Sequence, residues 1–323
     1  MNDFYNLKLN INKELSSQRL DKVLSSNLEG YSRTQIKTLI LSGNVIKDNK
    51  EIKDPSHITK VDENYSINIF LKNETKHKPE DIDLKIEYED KDLLVINKPP
   101  NLVMHPAPGN ESGTLVNALV HYTNNNLSNL NDNSRPGIVH RLDKDTSGIV
   151  VIAKKNDIHI KLSEQFKDHS ISRKYKAIVW GIPQNQKIEG YIERNKKNRK
   201  KMSLNNKGFG KYSKTEIMLE KSFGIASVID CILYTGRTHQ IRLHLTSKNS
   251  PIVGDKLYGV SKINQYGKEK DSFNKFMILK NFKRQALHAY HLGFIHPTTK
   301  KQMEFNVDLP EDFKNLINLM VKY

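Results

Sequence analysis

The run GIVVIAK, Gly148–Lys154, holds five consecutive apolar residues with no polar alternation. Such a run suits a strand buried inside a sheet, because a strand with one wet face alternates apolar and polar residues. It follows directly on HRLDKDTSG, His140–Gly148, a stretch dense in charge and hydroxyls. Around this pair the chain reads as further strands: DLLVINKPP, halted by two prolines, RKYKAIVWG, and ASVIDCILY, which passes through TGRTHQ into a helix with Ile241 and Leu245 one turn apart. LVNALVHY reads as a helix after the Pro and Gly loop HPAPGNESGT. Strands outnumber helices and connect mainly in antiparallel fashion, which predicts an α+β fold on a mixed, mainly antiparallel sheet.

A smaller unit precedes it. In QRLDKVLSSNL, Leu20, Val23, Leu24 and Leu28 fall at helical spacing. In SRTQIKTLILSGN, Ser32 and Gln35 form a capping box, and Gly43 supplies the stop. Arg33 and Lys37, one turn apart, share the outer face of that helix. NVIKDNKEIKD reads as a hairpin turning near Asp48 and Asn49, and NYSINIF adds an alternating strand. The aperiodic, polar LKNETKHKPED, Leu71–Asp81, serves as linker, with the units divided at 75/76.

The chain has 52 Lys and Arg against 36 Asp and Glu, a formal charge of +16. That surplus favours a polyanionic partner, although a Lys- and Asn-rich coding bias produces it too. One cysteine, Cys231, excludes an intramolecular disulfide and multi-cysteine zinc sites and fits a reducing setting. With no leader-like N-terminus and no run of roughly 18 apolar residues, a soluble cytoplasmic protein is expected.

HRLDKDTSG admits several chemistries. Asp143, Asp145, Ser147 and Gly148 match positions of an EF-hand calcium loop, but Lys154 stands where the bidentate Glu belongs, and a strand follows in place of a helix. DKDTSG also matches the opening of a magnesium-dependent phosphatase. There an apolar strand would run into the first Asp, whereas His140 and Arg141 interrupt the approach. An aspartate set between Arg141 and Lys144 can instead work as an anion, a nucleophile or a base. A charged turn between strands remains the plain alternative.

Residues 17–70 resemble the S4 RNA-binding domain through RLDKVL, SRTQIKTLI and GNVIKDNKEIKD. GIVHRLDKDTSGIVVIAKK resembles the signature of the large-subunit pseudouridine synthases of the RluA/RluD type. INKPPNLVMHPAPGN, GTLVNALVHY, RKYKAIVWG, TGRTHQIRLHL, PIVGDKLYG and RQALHAYHLGFIHP follow the same pattern between Asp90 and Pro310. The resemblance implies an S4-like RNA-binding domain at 1–75 and a pseudouridine synthase domain at 76–323. Such an enzyme isomerises uridine in RNA without metal or other cofactor.

Carried over by position, the resemblance makes Asp143 the catalytic aspartate and Arg242 its basic partner. Tyr175 becomes the aromatic face against the target base, and Arg141 the residue that fills the space left by the flipped nucleotide. Arg33 and Lys37 become candidate phosphate contacts on the S4 unit. The basic stretch ERNKKNRKKMSLNNKGFGKYSK adds Arg194, Lys196, Lys197, Arg199, Lys200 and Lys201, read either as a solvated loop or as an RNA-backbone contact. KEKDSFNKFMILKNFKRQ reads as an insertion partly ordered by substrate. His140 and Asp145 are expected to be scaffold, and Lys144 to keep the local field positive.

The implied partner is large-subunit (23S) rRNA or its precursor particle, with the helix 69 region as target and a monomer as the expected state. The alternatives are other uridines of that rRNA, a non-catalytic ribosome-assembly factor, and, remotely, the magnesium-dependent phosphatase.

Overall fold

The computed structural model describes residues 4–28, 31, 33–70, 77–129, 135–198, 200–259 and 273–322. The expected capping Ser32, the basic-stretch Arg199 and the linker residues 71–76 lie outside them.

The N-terminal unit is a four-stranded antiparallel sheet, β1 (Phe4–Asn10), β2 (Val45–Lys47), β3 (Lys50–Glu51) and β4 (Asn64–Phe70), in the order β1-β4-β2-β3. Helices α1 (Leu20–Asn27) and α2 (Arg33–Leu41) cover it. Asp48 and Asn49 take φ of 48° and 62°, as a two-residue hairpin turn demands, where the sequence placed the turn. Leu20, Val23, Leu24, Ile36 and Ile40 are buried against Val45, Tyr65 and Ile67. β1 extends the unit upstream of the segment that sequence patterning identified, pairing along β4 over seven residues.

Asp21, on α1, is buried and accepts hydrogen bonds from both Arg19 and Arg33. Arg19 first, then Arg33, hold its carboxyl down to about 2, although burial works the other way. Arg33 thus has a partner inside the unit while its side chain stays 54% exposed. Asp21→Asn is expected to weaken α1 and α2 by about 1–3 kcal/mol, read as faster amide hydrogen exchange in both helices. The pH sign follows from the lowered carboxyl. The contribution is complete above the unfolded value of 3.8 and is lost as pH falls toward about 2.

The second unit is built on a ten-stranded sheet. Its strands are β5 (Ile86–Glu89), β6 (Leu93–Lys98), β7 (Ser147–Ala153), β8 (Ser172–Trp180), β9 (Gln186–Arg194), β10 (Met202–Asn205), β11 (Lys211–Ser222), β12 (Ala226–Leu233), β13 (Leu287–Ile295) and β14 (Gln302–Asn306). The order is β10-β9-β11-β12-β8-β13-β7-β6-β5, with β14 on β13. Among the described residues these strands pair in antiparallel fashion throughout, except β13 with β7. Helices α3 (Leu115–Tyr122), α4 (Asn156–Lys167), α5 (Gln240–Ser247), α6 (Phe273–Lys280) and α7 (Glu311–Lys322) complete it.

β7 is buried from end to end. Val150 and Ile152 enter one core with α3, α5, α6 and α7, while Ile149, Val151 and Ala153 enter a second core with α4. Cover on both faces accounts for the unbroken apolar run, and each buried aliphatic side chain contributes about 1.5–3 kcal/mol. Gly148 has φ 120°, and a Cβ there would lie 2.1 Å from the Ala289 carbonyl oxygen, so the parallel β7–β13 contact requires glycine.

Two segments differ from expectation. The basic stretch Arg194–Lys214 is not a single loop: it takes in the end of β9, all of β10 and the start of β11, with the basic turns between them. The described part of the segment read as an insertion contains α6, whose Phe276 and Leu279 are buried and whose Phe276 ring packs on Trp180 at 5.6 Å. Burial of these apolar residues in the main core packs the helix against the sheet.

Candidate active site

HRLDKDTSG forms a loop leading into β7, held by anchors along its length. The His140 Nε2 accepts the Val151 amide, and burial of the imidazole pushes it down to about 3, so it serves as neutral scaffold. Lys98, the last residue of β6, is buried and donates to the carbonyls of Pro99, Leu102 and Lys144 at 2.8, 2.9 and 3.0 Å. Three acceptors match the three protons of an ammonium. Burial lowers that ammonium to about 7, with Asp145 and Asp143 opposing. Arg284 donates to the Asp145 carbonyl, Gln285 to Thr146 Oγ1, and Ser147 pairs with His288. These contacts fix the backbone on both sides of Asp143.

α5 brings Arg242 to that loop. Gln240 is pinned by Thr235 and Thr215 and by the Lys214 carbonyl, and His239 caps the helix in a left-handed conformation, φ 59°. Arg242 Nη1 donates to Asp143 Oδ2 at 2.8 Å. Its Nε and Nη2 form a fork onto Asp255 at 2.7 and 2.9 Å, and the guanidinium lies 5.0 Å from the Tyr258 ring centre. Burial disfavours the charge on Arg242, but Asp255 and Asp143 outweigh it and raise its pKa. Burial likewise raises the Asp255 carboxyl, and Arg242 with the Leu257 and Tyr258 amides brings it below the usual range. A carboxylate held on one oxygen by a fixed cation keeps its other oxygen for chemistry.

That oxygen, Asp143 Oδ1, has His239 Nε2 at 3.8 Å. Tyr258 Oη accepts the Met202 amide and lies 2.8 Å from His239 Nδ1. A phenol donating to Nδ1 leaves the ring proton on Nε2, facing Asp143. Tyr175 stands on β8, 8% exposed, and lines with Asp143 and Arg242 a cavity of about 400 Å³. A second concavity of about 300 Å³, walled by Met104, His105 and Asn110, meets the first at Arg141 and Asp143. Arg141 is exposed and makes no hydrogen bond or ion pair with another described residue. Cys231, by contrast, is fully buried in β12, and burial pushes its thiol up.

Asp143, Arg242, Tyr175 and Arg141, spread over about a hundred positions of chain, therefore meet at one cavity. The Arg242 guanidinium takes up one of the two oxygens that Asp143 could offer a metal. Arg33 and Lys37 lie on the separate N-terminal unit, and Lys37 is exposed. Arg194, Lys196, Lys197 and Lys200 are exposed on the outermost strands and their turn; Lys201 reaches back to within 6.0 Å of the Tyr258 ring centre. Sequence reasoning did not single out Asp255, Tyr258, His239, Lys98 or Arg173. The first two stand inside PIVGDKLYG, where Gly254, φ 75°, lets the backbone approach the Arg284 carbonyl.

Residues 92–247 match the family described as RNA pseudouridylate synthase, and residues 18–64 match the S4 domain. The ribosomal large subunit pseudouridine synthase D of Zymomonas mobilis is 40% identical over 97% of each chain. That of Buchnera aphidicola is 42% identical over 95% of each. The solved human RNA pseudouridylate synthase domain containing 1 aligns with a TM-score of 0.54 at 24% identity, over 73% of this chain and 87% of its own, a likeness of fold.

Proposed function

As this chain belongs to the RNA pseudouridylate synthase family, we propose that it isomerises uridine to pseudouridine in large-subunit rRNA with Asp143 as the reacting group. The observation that carries the assignment is the Asp143–Arg242–Asp255 chain, which presents one free carboxylate oxygen to a cavity floored by Tyr175. An extruded uridine stacks on Tyr175, and Arg141, at the mouth, occupies the gap it leaves in the RNA. The N1–C1′ bond breaks, the uracil turns, C5 bonds to C1′, the C5 proton leaves to solvent, and the freed N1 takes up a proton. Three routes are open to Asp143: attack at the sugar, attack at the base, or removal of the C2′ proton.

In this reading residues 1–75 dock the RNA through Arg33 and Lys37, and residues 76–323 carry the chemistry. The enzyme works as a cytoplasmic monomer on the helix 69 region. No described helix is long and apolar enough to cross a membrane. The basic turn between β9 and β10 supplies affinity without sequence choice. Changing Lys196, Lys197 and Lys200 together to Ala should weaken binding to every RNA tested and leave kcat unchanged. The slope of log Kd against log salt should flatten by up to about 0.9 for each phosphate that is no longer neutralised.

The assignment is tested by release of tritium from C5-labelled uridine in a large-subunit rRNA transcript. Stoichiometric release at defined uridines supports it. Binding without release makes the protein an assembly factor.

A further inference from the structure

Among the described residues three arginines are buried, Arg173, Arg242 and Arg284. Arg242 is neutralised by Asp143 and Asp255, and Arg284 by Asp312. Arg173 has no carboxylate partner among the described residues, and its buried Nε and Nη2 have no hydrogen-bond acceptor there. It is 7% exposed, lies against the Phe166 ring at 5.5 Å, and borders the same cavity as Asp143 and Tyr175. Burial, with Arg237 adding to it, works against its charge.

An orphaned guanidinium is costly to bury, and an arginine does not escape by losing its proton. Its surroundings keep space open around it. A Cβ on Gly236 would lie 2.5 Å from Arg173 Nη1, so the glycine leaves room for the fork. Among the described residues the one carboxylate lining the cavity is Asp143, already held by Arg242, while Arg141, Lys167 and Arg237 add positive charge. The complement to such a group is an anion with two acceptor oxygens, the geometry a guanidinium binds in bidentate fashion.

Position selects which anion. Arg173 and Tyr175 alternate onto one face of β8, about 7 Å apart along the strand. That is the order of the span between a base and the phosphate one ribose away. We propose that Arg173 clamps a phosphodiester flanking the target uridine, so that the nucleotide is fixed at its base by Tyr175 and at its backbone by Arg173. The inference rests on the synthase reading above and adds a backbone subsite to it.

The test pairs protein and RNA changes in a cycle, using the full chain as wild type, Arg173→Met and Arg173→Lys. The substrate is an rRNA stem-loop whose modified uridine has been mapped, made with an uncharged methylphosphonate on its 5′ or 3′ side. With wild type, one of the two neutral linkages should lower kcat/KM by roughly 10- to 100-fold, the range for deleting a charged hydrogen bond. Arg173→Met should show a similar loss on the native RNA and less than about twofold more on the neutral one, because the two changes remove the same pair. Arg173→Lys should fall between them. Since the free protein loses only an unpaired buried charge, Arg173→Met should melt no lower than wild type.

Losses that multiply in the cycle, indifference of wild type to both neutral linkages, or a variant that melts several degrees lower or fails to fold would each overturn the clamp, the last by making Arg173 a structural residue. If wild type forms no pseudouridine in any rRNA, the synthase reading itself fails and takes the clamp with it. Activity on native RNA with multiplying losses removes the clamp alone.

Discussion

The Asp143→Asn protein should fold, bind rRNA with unchanged affinity, and leave every uridine unmodified. Asparagine keeps an oxygen for Arg242 Nη1, and Asp255 still neutralises the guanidinium through its own fork. Unfolding free energy should therefore change by no more than about 1 kcal/mol. Turnover should fall by at least about 10⁴-fold, as when a reacting group is deleted from a machinery that acts as a unit. Filter binding and thermal melting run beside the activity assay separate this outcome from simple unfolding.

Asp255→Asn is the more revealing change, because Asp255 touches no substrate in this account. Its side chain is 1% exposed and accepts two of the guanidinium's hydrogen bonds. Without its charge, Arg242 is buried with Asp143 as its remaining carboxylate, so the reacting group is drawn toward the role Asp255 held. A fall of roughly 10²–10³ in kcat with little change in KM is expected, the size seen when one preorganised electrostatic group is removed. Stability should drop as well. The Asp255 carboxyl lies below the usual range, so its contribution is complete above the ordinary carboxylate value and disappears as pH falls through the lowered one. At low pH wild type and variant should converge, which equilibrium unfolding across the acid range can read.

The parts of the fold that sequence revealed are those where one physical demand dominates. GIVVIAK has cores on both sides and therefore lacks alternation, and Asp48–Asn49 sit at positive φ where few residues do. The strands around the basic stretch were hidden for a different reason. On β11 the inward positions include Ser213 and Thr215, small hydroxyls that both bond His244 inside the core, so no apolar period marks the strand. α6 was masked by its lysines, although Phe276 and Leu279 carry its packing.

The site divides in the same way. Asp143, Arg242 and Tyr175 lie in long motifs, and the fold brings all three to one cavity. Asp255, next to a glycine, looks like an ordinary turn residue until its fork with Arg242 is seen. Lys98 looks like the polar end of an apolar strand, yet its ammonium holds the Lys144 carbonyl beside the reacting aspartate. Arg173 stands in a strand motif with nothing in the sequence to mark it, and only its burial without a carboxylate distinguishes it. Partners such as these depend on register and on which loops meet, and neither is written in local patterning.

Whether Asp143, held by Arg242, isomerises uridine in large-subunit rRNA can be read by incubating wild type and Asp143→Asn with a 23S rRNA transcript labelled with tritium at uridine C5. Wild type should release tritium stoichiometrically at a small set of uridines and the variant none, with both proteins retaining the RNA. Equal release by the two proteins, or none by wild type, would contradict it.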